Sequence, residues 1–91
     1  DLGLKNLATQ LNINPSYLST LFKKETGFTL TEYVNQKRIE HAVFLLNSSN
    51  LQIQMIAQYS GIADVNYFTK TFKKIIGITP KEYRDRITNP F

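Results

Sequence analysis

Two stretches of this sequence carry side chains suited to meeting the edges of DNA base pairs. In the first, Ser16, Ser19 and Thr20 are interleaved with Leu18, Leu21 and Phe22; in the second, Val65, Asn66, Thr69 and Lys70 are interleaved with Phe68, Phe72 and Ile75. If the apolar residues of each stretch turn inward on a helix, Pro15, Ser16, Ser19, Thr20 and Lys23 face outward from one, and Val65, Asn66, Thr69, Lys70 and Lys73 from the other. Asn has a preferred partner in adenine and Lys in guanine, and short hydroxyl side chains let a helix sink close to the base pairs. A solvated helix face is the rival explanation. Such a face usually alternates long Glu and Lys residues, whereas no carboxylate occurs at positions 15–24 or 65–76. Phosphates repel carboxylates, so a groove-facing helix must avoid them.

Other chemistry finds little material. Cysteine is absent, which excludes disulfides, thiolate metal sites and cysteine nucleophiles. His41 is the only histidine and has no cluster of carboxylates near it in the sequence, so it reads as a surface or half-buried helix residue. No Ser-centred motif accompanies it, and no nucleophile–base pair can be assembled. The expectation is a non-enzyme with no metal and no cofactor. Tyr17 and Tyr67 occupy matching places just inside the two candidate recognition helices; packing of the turn is their first reading, with phosphate contact through the hydroxyl as the alternative. Lys37 and Arg38 are open between phosphate contact and a solvated face.

The elements that would position these residues are written twice. Residues 22–33 read FKKETGFTLTEY and residues 72–83 read FKKIIGITPKEY, fifty positions apart. Asn14 before Pro15 is a helix start, an Asn cap followed by Pro where its missing N–H costs nothing, and Asp64 caps the second copy. Gly27 and Gly77 stop the two helices. Thr29 with Glu32 and Thr79 with Glu82 have the spacing of capping boxes, and Phe28 with Tyr33 and Ile78 with Tyr83 that of hydrophobic staples. Before each copy lies a short helix, with Leu4, Leu7, Ala8 and Leu11 in one and Ile53, Ile56 and Ala57 in the other; Asn12 and Gly61 take the turn that follows. Between them Tyr33, Val34, Ile39, Ala42, Val43 and Leu46 carry a long apolar stripe that ends at NSSN, residues 47–50.

A short helix, a tight turn and a second amphipathic helix make a helix-turn-helix, whose second helix can enter a major groove. The expected architecture is all-α: two tandem three-helical, homeodomain-like lobes, a first helix-turn-helix over 1–29 and a second over 49–91, joined by a linker helix over 30–48. The recognition helices fall at about 15–26 and 65–76. The linker's stretch from Leu30 to about Leu46, some 17 residues, makes a rod of roughly 25 Å, suited to holding them about one DNA turn, on the order of 34 Å, apart. Because the two reading faces differ, the bound site should be asymmetric.

Ninety-one residues bury roughly 60 to 65% of their unfolded surface, so each lobe has a thin core. With 42% hydrophobic and 20% charged residues the chain is an ordinary folded domain. Its net charge of +4 favours polyanionic partners. No apolar run approaches a membrane span, and the apolar residues are needed for the two cores, which argues against a membrane-surface segment. An all-helical module that binds an acidic protein remains the rival from another class. The chain opens at Asp1 almost directly into an amphipathic pattern, as a piece of something longer would.

These residues resemble the DNA-binding domain of AraC/XylS-type bacterial transcription regulators. The likeness is most specific over IAQYSGIADVNYFTKTFKKIIGITPKEYR (56–84), and INPSYLSTLFKKETGFTLTEYVNQKRIEHA (13–42) is similar to the first unit and linker of that family. The resemblance implies a seven-helix domain, its first helix falling before this chain starts, that binds double-stranded promoter DNA in the bacterial cytoplasm and is nucleoid-associated when bound. It implies a fused effector-binding or receiver domain, RNA polymerase as a partner of the full protein, and no membrane. By position it puts base reading on Ser16, Ser19 and Thr20 and on Val65, Asn66, Thr69 and Lys70, and phosphate contacts on Asn14, Lys23, Lys24, Lys73, Thr79 and Lys81. With only Ser and Thr at the first set, the second unit should supply more of the specificity.

Overall fold

The computed structural model describes residues 6, 9–12 and 14–89. Its elements are all helical: α1 (Pro15–Thr26), α2 (Leu30–Ser48), α3 (Ile53–Tyr59), α4 (Val65–Ile76) and α5 (Pro80–Thr88). The chain divides into two compact units, Asp1–Asn35 and Gln36–Phe91.

In the first unit, Leu4, Leu7 and Ala8 lie outside the described residues. Asn12 adopts φ 56°, the left-handed conformation that Asn tolerates because its short side chain can bond locally. Asn14 Oδ1 then accepts from the backbone N–H groups of Ser16 at 2.7 Å and Tyr17 at 3.4 Å, which satisfies two otherwise unpaired donors of α1. Gly27, at φ 82°, ends that helix by donating to the Lys23 carbonyl at 2.8 Å. The capping box at the start of α2 is closed in both directions: Thr29 N–H donates to Glu32 Oε1 at 2.8 Å, and Glu32 N–H to Thr29 Oγ1 at 3.0 Å. No residue of α1 is fully buried. Phe22 is half-buried, with the ring of Tyr33 edge on at 5.6 Å. Leu21, expected inside, is 36% exposed, and Leu11 55%.

The second unit has a real core. Ile39, Ala42 and Leu46 of α2 meet Ile56 and Ala57 of α3, Ile62 of the turn, and Phe68 and Phe72 of α4, all buried. Burying one such large side chain stabilises by roughly 1.5 to 3 kcal/mol, so this cluster dominates the fold of the unit. The α3 terminus forms a Schellman motif: Ile62 N–H donates to Ala57 O at 3.0 Å and Gly61 N–H to Gln58 O at 3.1 Å, with Gly61 at φ 94°. Asp64 caps α4 through Asn66 and Tyr67 N–H at 2.9 and 3.1 Å, Gly77 ends it at φ 100°, and Thr79 with Glu82 boxes the start of α5.

One expectation about the inner face of α4 is corrected. Ile75 is 39% exposed, whereas Thr71, which the sequence pattern does not single out, is 8% exposed. Ile75 has the right angle on the helix but stands in its last turn, at the end of the buried row. Thr71 lies mid-helix between Phe68 and Phe72, where the surrounding core covers it.

Candidate nucleic-acid interface

The fold presents two matched helices with mostly polar outer faces. In α1, Ser16 and Thr20 are exposed and Ser19 is half-buried; Lys23 and Lys24 stand exposed in the last turn. In α4, Val65, Asn66 and Lys70 are exposed, Thr69 is half-buried, and Lys73 and Lys74 close the helix. Residues 16, 19, 20 and 23 share one face of α1, and 65, 66, 69, 70 and 73 share one face of α4, because each set follows helical spacing. Neither helix has an acidic residue in its first turn, and their basic residues gather at the C-terminal end, where the helix dipole favours cations.

The remaining expected phosphate contacts stand elsewhere. Asn14 is a cap whose carbonyl oxygen is already occupied, leaving its amide N–H groups as the donors it could offer. Thr79 is half-buried at the head of α5, with its N–H donating to Glu82 Oε1 at 3.0 Å and its hydroxyl oxygen accepting from Glu82 N–H at 3.1 Å. Lys81 is exposed as the second residue of α5. The Glu82 carboxyl is held below its ordinary pKa chiefly by the Thr79 backbone N–H, then by its side-chain hydrogen bond with Thr79, with smaller help from Lys73 and Arg86. It stays an anion, but one committed to a cap.

Tyr17 and Tyr67, read first as packing residues, are 61% and 49% exposed. Each is the third residue of its helix, so both rings stand beside the polar outer faces. The signal for this was their matched position in the repeat; an aromatic type alone points inward. Arg38 is half-buried rather than solvated, and its side chain lies against the Gly61 turn, so close that a Cβ on Gly61 would sit 3.1 Å from Arg38 Nε. Lys37 pairs with Glu40 at 3.5 Å on the helix surface. His41 is exposed, its ring 6.3 Å from that of Phe44. No cluster of His, Cys, Asp or Glu able to hold a metal occurs among the described residues. Among them, no helix is long and apolar enough to cross a membrane.

The comparisons with known proteins agree with the helix-turn-helix fold. A family model for a helix-turn-helix domain matches residues 7–86. The HTH-type transcriptional regulator YijO of Escherichia coli is 39% identical over 83 residues, covering 91% of this chain and 29% of the relative. The C-terminal domain of the two-component response regulator yesN from Fusobacterium nucleatum is 44% identical with a TM-score of 0.79, over 89% of this chain and 79% of that one. The DNA-binding domain of AdpA, solved with a target DNA, shares the fold at a TM-score of 0.81 and 21% identity, over 96% of this chain and 80% of that one. The chain spans between 11 and 32% of the length of the first three curated relatives it matches.

Proposed function

Because the chain belongs to the AraC/XylS-type family of helix-turn-helix regulators, we propose that it is the duplex-reading part of a bacterial transcription regulator, a sequence-specific binder and not a catalyst. The observation that carries this reading is the pair of matched helices, α1 and α4, each 12 residues long, each with a side-chain cap at its start, a mostly polar outer face free of carboxylate and a lysine pair at its end. Such a face suits a major groove. Ser16, Ser19 and Thr20 read bases from α1, and Val65, Asn66, Thr69 and Lys70 from α4. Val65 meets a thymine methyl, Asn66 an adenine edge and Lys70 guanine. Lys23, Lys24, Lys73, Lys81 and the amides of Asn14 contact phosphate, joined by Tyr17 and Tyr67, both exposed residues. The two faces differ at nearly every reading position, so the preferred site is asymmetric.

The full protein works in the cytoplasm and carries a further domain, effector-binding or receiver, that governs this one and its dealings with RNA polymerase. Support for a receiver comes from the F. nucleatum neighbour, itself the C-terminal domain of a two-component response regulator.

The test is selection of bound duplexes from a random pool by the 91-residue chain, followed by a salt titration on the winning site. Neutralising about five to eight phosphates gives a slope of log K against log salt near −5 to −7. A single asymmetric consensus with that slope is the expected result. Failure of the folded, helical chain to bind duplex at low salt would overturn the proposal in favour of a protein-interaction module.

A further inference from the structure

We propose that the two recognition helices present opposite hydrogen-bond polarity at one shared register, Thr20 accepting from an exocyclic base amine where Lys70 donates to guanine; this rests on the DNA-reading role proposed above. The register is fixed by the ends of the helices. α1 and α4 have the same length, start after Asn14 or Asp64 and stop at Gly27 or Gly77 in the left-handed conformation. The sixth residue of one is Thr20 and of the other Lys70, and both are exposed.

The polarity of Thr20 follows from a single bond. Its Oγ1 lies 2.9 Å from the Ser16 carbonyl oxygen. A carbonyl has no proton to give, so the proton on that bond is the hydroxyl's own. A free threonine hydroxyl can donate or accept, and therefore discriminates weakly between bases. With its proton committed inside the helix, Thr20 offers the groove only lone pairs and a methyl group. In the major groove the groups able to donate to those lone pairs are the N4 amine of cytosine and the N6 amine of adenine; guanine and thymine show only acceptors there. Lys70 is the reverse, an ammonium with three donors and no acceptor, which matches guanine O6 and N7. One register earlier, Thr69 Oγ1 is committed to the Val65 carbonyl at 2.8 Å in the same way, but that residue is half-buried and offers less of itself.

The two units thus read complementary chemistry at the same helix position, although each helix starts on an Asn or Asp side-chain cap and stops at a left-handed glycine. This gives the asymmetry of the site a cause at one residue pair.

Selection from a random duplex pool by the wild-type chain and by Thr20→Ala locates the base that Thr20 reads, as the position whose preference changes; Lys70→Ala locates its own. Adenine or cytosine is expected at the first and guanine at the second. Replacing the first base by an analogue lacking only its exocyclic amine should weaken wild-type binding roughly fivefold, the worth of about one hydrogen bond. Thr20→Ser should stay sensitive to that deletion, and Thr20→Val, which keeps the shape but has no lone pairs, should be insensitive. Replacing the guanine by 7-deazaguanine should weaken the wild type similarly and leave Lys70→Ala unaffected. Guanine or thymine at the Thr20 position, no position changing in Thr20→Ala, or a wild type indifferent to loss of the amine overturns the polarity while specific binding stands. A wild-type chain with no base preference anywhere overturns the underlying reading as well.

Discussion

The ring of Tyr83 stands edge on to Phe72, centroids 6.0 Å apart at 79°, and fifty residues earlier Tyr33 stands in the same way against Phe22, at 5.6 Å and 66°. Each pair joins the inner side of a recognition helix to the first turn of the helix after it. Edge-to-face contact places the positive rim of one ring on the negative face of the other, so the joint has a preferred angle as well as an apolar contact. In the second unit the tyrosine is tied further: its hydroxyl and the Asn47 amide exchange hydrogen bonds at 3.3 and 3.1 Å, linking α5 to the end of α2. The repeated sequence phrase is the means by which each recognition helix is ended and held.

Tyr83→Phe keeps the ring and loses the link to Asn47, so it should cost about 1 kcal/mol. Tyr83→Ala also removes the packing over Phe72 and should cost about 2 to 4 kcal/mol. Urea denaturation of the two variants separates the contributions; equal losses would assign the joint to the hydroxyl instead of the ring.

The starts and stops of the helices were legible because capping is local chemistry. Asn14, Asp64, Thr29 with Glu32, and Thr79 with Glu82 each bond within three residues, so the sequence contains both partners of every bond. Burial is not local. Leu21 and Ile75 have the right periodicity, yet their exposure depends on what other elements place above them, and no spacing within one helix states that. The same reason hid the burial of Thr71, the half-buried stem of Arg38 against Gly61, and the outward rings of Tyr17 and Tyr67. The polar outer faces of α1 and α4 were legible as faces. The internal bond that removes the Thr20 proton was not, since hydroxyl direction follows from backbone geometry.

Gly61 and Gly77 should respond differently to alanine. Both have positive φ, at 94° and 100°, where a Cβ is disfavoured by about 1 to 2 kcal/mol. At Gly77 the new methyl meets nothing within 4 Å, whereas at Gly61 it meets the Arg38 side chain. Gly77→Ala should therefore lose only the backbone preference, and Gly61→Ala somewhat more, with the excess removed when Arg38→Ala is added. The same cost for Gly61→Ala in the wild-type and the Arg38→Ala backgrounds would place the whole of it in the backbone.

Acid should weaken the start of α5 through Glu82. Its folded pKa lies below the ordinary value of 4.5 because the Thr79 N–H stabilises the carboxylate. A carboxyl whose pKa is depressed by folding contributes stability that is fully present above its unfolded pKa and is lost as pH falls through the folded one. Thermal melts of the wild type between neutral pH and about pH 3 should show this loss below pH 4.5, and Glu82→Gln, which cannot ionise, should lack that part of the pH dependence. Thr79→Ala, which removes the other half of the box, should cost about 1 kcal/mol at neutral pH.

The two classes of lysine can be told apart by the ratio of specific to random affinity, with the salt slope beside it. Lys70 stands on the outer face of α4 among Asn66 and Thr69, and a side chain that reads a base edge contributes only where that base is present. Lys70→Ala should cost about 1 to 3 kcal/mol on the selected duplex and little on random sequence. Lys24 stands in the last turn of α1, beyond Ser16, Ser19 and Thr20, the positions proposed to read bases, and is proposed to contact phosphate, which every sequence carries. Lys24→Ala should weaken selected and random duplexes alike and reduce the steepness of the salt dependence by about 0.9, the slope of one phosphate contact. Lys70→Ala should also remove a charge near the duplex, so its slope on the selected site falls somewhat; the ratio of specific to random affinity, not the slope alone, is the quantity that assigns it. An unchanged ratio in Lys70→Ala would make it a phosphate contact and shift the burden of specificity in α4 onto Asn66.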